Sequence, residues 1–365
     1  MIVAPQMVIN QAMKNLFTSA NQYHIGTLIL LLFLGTSLTG CDVFSGSDAP
    51  LESNASVLHP VKIDGKWGYI NGLGRITFNP NFDNARDFSE GMAAVQDGAV
   101  WGYVAEDVRT AIAPQYQIAG QFSEGLAFVR GTGLDDLYGY VNKEGTAVIA
   151  PQYELAQIFS EGLAAVRIDT RWGYINSRGE VIIPANYSDA RPFSEGLAAV
   201  EGLNGWVYIN RQGETAIQPS LTVQSLGNFS DGLAPFETGE GWGYMNTRGE
   251  PVISPQFERA EDFSEGLAVV EVDGRFEFVN KSGEIVVFGE FNEAQPFSEG
   301  MAAVRLNNDW TFVSKATGRV SIDRSFDGAS SFKGGIARVF FGNVEDNPRI
   351  GYIDRAGEYV WFPMN

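Results

Sequence analysis

The chain predicts an all-β tandem array of about nine repeats, each ~34 residues long and folded as a three-stranded β-meander. Three observations carry that expectation. A Trp-Gly-Tyr pattern, "GKWGYIN" at 65–71, returns at Trp101, Tyr138, Trp172, Trp206, Trp242, Phe276 and Trp310, and once more, degenerate, in "RIGYID" at 349–354. A second pattern, "FSEGLAAV", stands letter for letter at 159–166 and 193–200 and in six close variants elsewhere. Between the two lies "PQY" or "PQF", at Pro114, Pro151 and Pro255, with "PNF" at Pro80.

Each element of one repeat follows in order. "LAAVR" is a short apolar run bounded by polar turns, which reads as a half-buried strand. Asp-Gly pairs such as Asp64-Gly65 and Asp273-Gly274 mark a tight hairpin into "WGYIN". The alternating aromatics of that second strand share one sheet face. An Asn-x-x-Gly turn comes next, as in Asn176–Gly179 and Asn246–Gly249; Asn bonds its own backbone two residues on, and Gly supplies positive φ. The third strand, for example "AVIAP" at 147–151, is expected to end at proline, which cannot donate to a ladder. One such meander cannot bury both faces, so neighbours must stack. An open solenoid or superhelix is favoured over a closed propeller-like ring, because nine blades are many and 34 residues are few for a four-stranded blade.

These motifs resemble the bacterial WG-repeat family over roughly residues 57–365. The resemblance implies a β-rich repeat domain of secreted or envelope proteins, and no single activity. Departures stand at the Gly position (Val207, Glu277, Thr311) and in the last "FKGG", where Lys333 replaces Ser.

The N-terminus reads as an address. The apolar run "IGTLILLLFL" at 25–34, with Lys14 before it and "LTGC" at 38–41 after it, has the layout of a secretion signal and is too short for an ordinary membrane span. "LTGC" resembles the lipobox of bacterial lipoproteins, which implies cleavage after Gly40 and lipidation of Cys41. An uncleaved signal anchor with an incidental cysteine is the plainer alternative. Met13 is a more usual signal start than Met1. Residues 41–56 are small, polar and acidic and suit a flexible tether, which leaves 57–365 for the repeats.

Composition excludes several function classes. The net charge is −19, and loss of residues 1–40 would take it to about −20, the wrong sign for nucleic acid. One cysteine and two histidines rule out an internal disulfide framework and leave no His/Cys metal site to expect. No cofactor motif is present.

Two sets of repeated residues are the candidates. The aromatics Trp67, Trp101, Tyr138, Trp172, Trp206, Trp242, Phe276 and Trp310 interchange among apolar shapes, which points to packing; a row of sugar-stacking rings is the alternative. The carboxylates Glu90, Glu124, Glu161, Glu195, Asp231, Glu265 and Glu299 occupy one position per repeat and would form an acidic stripe along the array. Lys143, Arg178, Arg211, Arg248, Lys281 and Arg355 sit in the Asn-x-x-Gly turns, so the array is electrically two-sided if the two turns lie on different edges. The repeated Ser has no partner histidine for nucleophile chemistry; only His59 follows Cys41.

The expected function is that of a monomeric, lipid-anchored, non-enzymatic protein of the bacterial cell envelope that presents an extended surface to another envelope protein. A carbohydrate- or cell-wall-binding module is the alternative. An enzyme would need a unique site, for which the irregular stretch around 219–236 and the insertions at 131–137 and 341–348 offer the places.

Overall fold

A computed structural model describes residues 56–362 of the protein, except 108, 134–135 and 344–347. The signal segment, Cys41, the cleavage point after Gly40 and the tether up to residue 55 lie outside the described residues. Among the described residues there are thirty-four strands and no helix, hence no helix long and apolar enough to cross a membrane.

The all-β array of ~34-residue units holds, with a richer unit than the expected three-stranded meander. Repeat 4 consists of strands Leu155–Ala156, Leu163–Ile168, Arg171–Asn176 and Val181–Tyr187, paired antiparallel in that order. The added first strand has two residues, too few to show any alternation in sequence. Its Ala156 pairs with Val166. The third strand of the expected meander does not stop at proline; in repeat 1 it runs through Pro80 to Phe82. It is the outer edge of its sheet, where a missing N–H leaves no partner unpaired.

That strand also explains the glycine after each Trp. Trp67 pairs with Phe82 and Tyr69 with Phe78, so two extra residues bulge over Gly68. A Cβ on Gly68 would lie 2.4 Å from the Phe78 carbonyl oxygen. The three departures from Gly each come with an altered third strand. Beside Val207 it shrinks to Thr215–Ile217. Beside Thr311 it shrinks to Arg319–Val320, and the threonine hydroxyl donates to the Ile322 carbonyl. Opposite Glu277 the bulge is kept, with Gly289 in place of the usual proline.

The open array, in contrast, is not what forms. Nine units carry nine hydrophobic cores, and a line of nine would have eight interfaces. Eight cores join consecutive repeats; Tyr174, Ile183, Phe193 and Val200, for example, join repeats 4 and 5. The ninth gathers Val61 and Ile70 of repeat 1 with Ile336, Ile350, Tyr352 and Trp361 of repeat 9. The Tyr352 hydroxyl donates to the Pro60 carbonyl at 2.7 Å. Residues 58–361 therefore close into a propeller-like ring.

Closure of so many units has a visible cause. Among the described residues repeat 1 begins at Leu58 without a two-residue strand, and its sequence has no Phe-Ser-Glu-Gly turn. Nine repeats thus bring eight of these turns together, with repeats 7 and 8 joined in one seven-stranded sheet. Lys333 and Arg338 of repeat 9 reach past repeat 1 to the Phe88 carbonyl and the Asp87 carboxylate of repeat 2. Units two apart can touch only on the narrow side of a ring, so the turns lie toward the axis.

Candidate functional site

The repeated residues lock the ring. In "SEGL" the N–H groups and carbonyls of Ser194 and Leu197 bond reciprocally, and Glu195 and Gly196 both take positive φ, 53° and 81°. That is the signature of a type I′ turn, which prefers Asn-Gly. A glutamate there costs about 1 kcal/mol or more, and seven acidic residues accept that strain. Their carboxylates explain it. Glu195 accepts the Gly232 N–H at 3.1–3.2 Å, and Glu90 accepts those of Glu124 and Gly125 at 2.7 and 2.9 Å. Glu124, Glu161, Asp231, Glu265 and Glu299 likewise hold the next repeat's turn. The seven carboxylates stand one per repeat, each engaged by its neighbour's backbone.

The serines run the same way. Ser89 donates to the Phe122 carbonyl, and six further serines do so around the ring at 2.6–2.7 Å. Lys333 donates to the Phe88 carbonyl at 2.9 Å and closes the circle. A hydroxyl spent on a carbonyl in seven repeats is a fastener.

The two kinds of turn share one end of each sheet, so the array is not electrically two-sided. Lys143 lies 3.6 Å from Glu90, and Arg355 lies 2.9 Å from Glu299. Burial pushes the Glu90 carboxyl up, but the Gly125 and Glu124 N–H groups and Lys143 outweigh it and hold the group below its usual range.

The eight aromatic positions are half-buried, except Trp206, which is buried. None is among the exposed large hydrophobic side chains of the described residues. Six pack on the inter-repeat cores, and Tyr138 lies against Phe128 at 6.0 Å. The centre of each core is the aromatic two residues on. Tyr174 is fully buried, meets Phe193 edge-on at 5.0 Å and donates to the Arg191 carbonyl.

What varies between repeats is a different set, found at the two positions before the Phe and midway along the following strand. They read Arg86-Asp87, Arg191-Pro192, Gly227-Asn228 and Glu261-Asp262 in repeats 2, 5, 6 and 7, and Phe128, Pro235 and Arg338 where other repeats carry Ala or Val. These residues line three cavities on the axial side. One of about 570 Å³ holds Arg191, Asn228, Pro235, Glu261 and Asp262 beside Trp242. Burial raises the Asp262 and Glu261 carboxyls. Asn228 donates weakly to Asp262, at 3.4 Å. The other two, about 450 and 490 Å³, flank the seam and share Asp87 and Arg338.

At the seam Arg338 donates to Asp87 at 2.6 Å and to the Tyr352 hydroxyl at 2.8 Å. His59, 3% exposed, lies 5.4 Å ring to ring from Tyr352, and its Nε2 has no hydrogen-bond partner. Burial pulls its pKa down to about 4, with Arg338 and Lys333 adding to the effect against Asp87. Burial lifts the Tyr352 hydroxyl to about 12. Sequence reasoning noted Lys333 as a departure and passed over Arg338 and Asp87. The signal was available: Arg338 is a cation in a strand position held elsewhere by small or apolar residues. Among the described residues, no group of three or more His, Cys, Asp or Glu side chains is placed to hold a metal ion.

A closed ring of sheets, with its repeated residues spent on interlocking and its variable ones facing the axis, defines a repeat-β scaffold of propeller type. The chain belongs to the WG containing repeat family, which matches it at 67–101, 101–130, 138–169, 172–205, 206–241, 242–276, 278–310 and 310–344. No curated protein matches it closely enough to count as a relative. Among solved structures, the crystal structure of the eukaryotic initiation factor is similar over 83% of this chain and 94% of that one, at 13% identity and a TM-score of 0.61. The dihydro-heme d1 dehydrogenase NirN in complex with DHE is similar over 86% and 74%, at 10% identity and a TM-score of 0.48. The first likeness shows a shared fold and nothing about activity.

Proposed function

We propose that the protein is a lipid-anchored, non-enzymatic scaffold of the bacterial cell envelope whose ring presents a docking surface to another envelope protein. One observation carries the reading: the axial positions differ between repeats and carry mixed charge, while the repeated chemistry holds the ring together. A scaffold that binds by a composite surface has this division of labour. The serines that could have been nucleophiles donate to neighbouring carbonyls; Ser298, which shares a cavity with the buried His59, donates to the Phe332 carbonyl, and the His59 Nε2 has no hydrogen-bond partner. The anchor rests on "LTGC" at 38–41, since two or more acyl chains on Cys41 would hold the protein at a membrane.

Crosslinking in the native envelope followed by affinity purification tests the partner. The reading expects a protein crosslinked to the axial residues, and weaker capture by the Asp262→Lys and Arg338→Glu variants. Retention on purified cell wall with no protein recovered overturns it in favour of the glycan reading. Cys41→Ser should release the protein from membranes; a variant that stays membrane-bound, with the wild type unprocessed at Gly40, overturns the anchor.

A further inference from the structure

The outer edge strands of the ring are guarded, with one exception. Edge strands present open backbone groups and are commonly protected by proline or by shortness. Repeats 1, 2, 3, 4 and 6 carry Pro80, Pro114, Pro151, Pro184 and Pro255 in theirs. Those of repeats 5, 8 and 9 have three, two and three residues. Repeat 7 has neither device and keeps only the bulges it shares with the proline-guarded edges. Its strand Ile285–Ala294 is ten residues long and reads "IVVFGEFNEA", without proline.

Its outer half is both open and apolar. The strand pairs with Arg275–Asn280 on one side, and the next strand, Met301–Leu306, joins only from Phe291 onward. No strand covers the other side of 285–290 among the described residues. Ile285, Val286 and Phe288 are 43%, 41% and 74% exposed. Repeat 6 has Ser254 where repeat 7 has Phe288.

Charge says what could cover this edge. Glu277 lies opposite the bulge Phe288–Glu290, and its Oε2 is buried with no hydrogen-bond partner. Burial, then Asp273, raises its carboxyl. Glu284 and Glu290 flank the apolar stretch. A second copy would set these acids against each other on two molecules of charge −19, and like charges across a strand pair are unfavourable. A basic segment would meet an unpaired carboxylate instead.

We propose that the Ile285–Glu290 edge of repeat 7 accepts an extended segment of a partner protein, alternating apolar and basic residues, as an added β-strand. The segment's backbone completes the open ladder, its apolar residues cover Ile285, Val286 and Phe288, and its Lys or Arg meets Glu277, Glu284 and Glu290. This deepens the protein-partner reading and rests on it.

The test uses the full chain in detergent and a fluorescent peptide alternating Lys and Val, with its Glu-for-Lys counterpart as control. Anisotropy should show the Lys peptide binding at least about tenfold more tightly, and amide exchange at 285–290 should slow when it binds. Ile285→Pro/Phe288→Ser, which copies Pro251 and Ser254 of repeat 6, should abolish both effects without moving the Tm. Should that variant not fold, Glu277→Gln leaves the strand intact and should narrow the preference between the peptides. Equal binding of both peptides, unchanged exchange at 285–290, or full binding by the edge variant overturns the proposal. An envelope partner crosslinked equally to wild type and edge variant would refute this edge while leaving the protein-partner reading standing.

Discussion

The interface between repeats 4 and 5 and the seam between repeats 9 and 1 do the same work with different parts. The regular interface uses fasteners without a cation: Ser160 to the Phe193 carbonyl, Tyr174 to the Arg191 carbonyl, and the Glu161 carboxylate to the Gly196 N–H. At the seam the serine has become Lys333, the glutamate has become Gly334, and Arg338 ties Tyr352 to Asp87. A side chain at Gly334 would run into Val57 at 2.8 Å, so the acidic latch is excluded where the chain enters the ring. Longer cationic side chains span the gap left by the missing turn of repeat 1. A repeat array closes by giving up its repeat chemistry at one joint, and that joint holds the buried His59 beside Arg338 and Asp87.

The largest expected difference between the two regions is in acid. His59 is neutral when folded, with its pKa lowered from 6.5 to about 4, so the unfolded chain takes up its proton first. Stability contributed at the seam is complete above pH 6.5, falls as pH drops below that value, and levels off near pH 4. The loss is about 3 kcal/mol at 1.36 kcal/mol per pH unit. Urea titrations at a series of pH values should show this extra slope in the wild type and not in His59→Gln; equal slopes would mean that burial at the seam is not what the geometry implies. Repeat 7 should show the opposite trend. The raised Glu261 and Asp262 carboxyls contribute stability that is present at low pH and lost as pH rises through their folded pKa values.

Next in size is the hydroxyl at each joint. Tyr352→Phe leaves the Pro60 carbonyl and the Arg338 Nε without their partner, a cost of about 2–3 kcal/mol because a charged group is involved. Tyr174→Phe unpairs only a carbonyl and should cost about 1 kcal/mol. Repeats 7 and 8 already carry Phe278 and Phe312 at this position, so regular joints tolerate the loss. Equal costs in paired denaturation curves would remove the distinction between seam and repeat.

Much of the ring was legible before any coordinates. The period, the hairpin turns and the packing role of Phe193 and its equivalents follow from repetition, because a core position tolerates few shapes. Three things were not legible. Strands of two residues, such as Leu155–Ala156, have no periodicity to detect. The proline at Pro151 looked like a strand end because the bulge over Gly139 depends on pairing across strands. Closure was the disfavoured alternative, because repeat number and length argue against a ring and the contact that decides it, from Pro60 to Tyr352, joins opposite ends of the sequence. The functional candidates were sought among residues that repeat; the axial set, Asp262 and Arg338 among them, is defined by not repeating.

A smaller effect separates strain from bonding in the turn. Glu195→Ala keeps the positive φ and loses the bond to the Gly232 N–H, for about 1–2 kcal/mol. Glu195→Gly loses the same bond and relieves the backbone, so it should be milder by about 1 kcal/mol. Thermal melts of the two variants decide this; an alanine variant as stable as the glycine one would mean the turn stores no strain.

The smallest effect tests whether surface charge matters to the ring at all. Lys143 sits 3.6 Å from Glu90, with both side chains more than a third exposed, and also donates to the Glu90 carbonyl. Solvent and salt screen such a pair, so Lys143→Ala should cost at most about 1 kcal/mol and less at high ionic strength. The N–H groups of Glu124 and Gly125 remain on Glu90 in that variant. Since the Glu90 carboxyl is held below its usual range, its contribution is present above that range and lost as pH falls through the folded pKa. Lys143→Ala should therefore keep most of this acid-limb loss, whereas Glu90→Gln should remove it. A lysine variant that also lost the acid limb would transfer the latch from the backbone to the ion pair, and the regular joints would then resemble the seam.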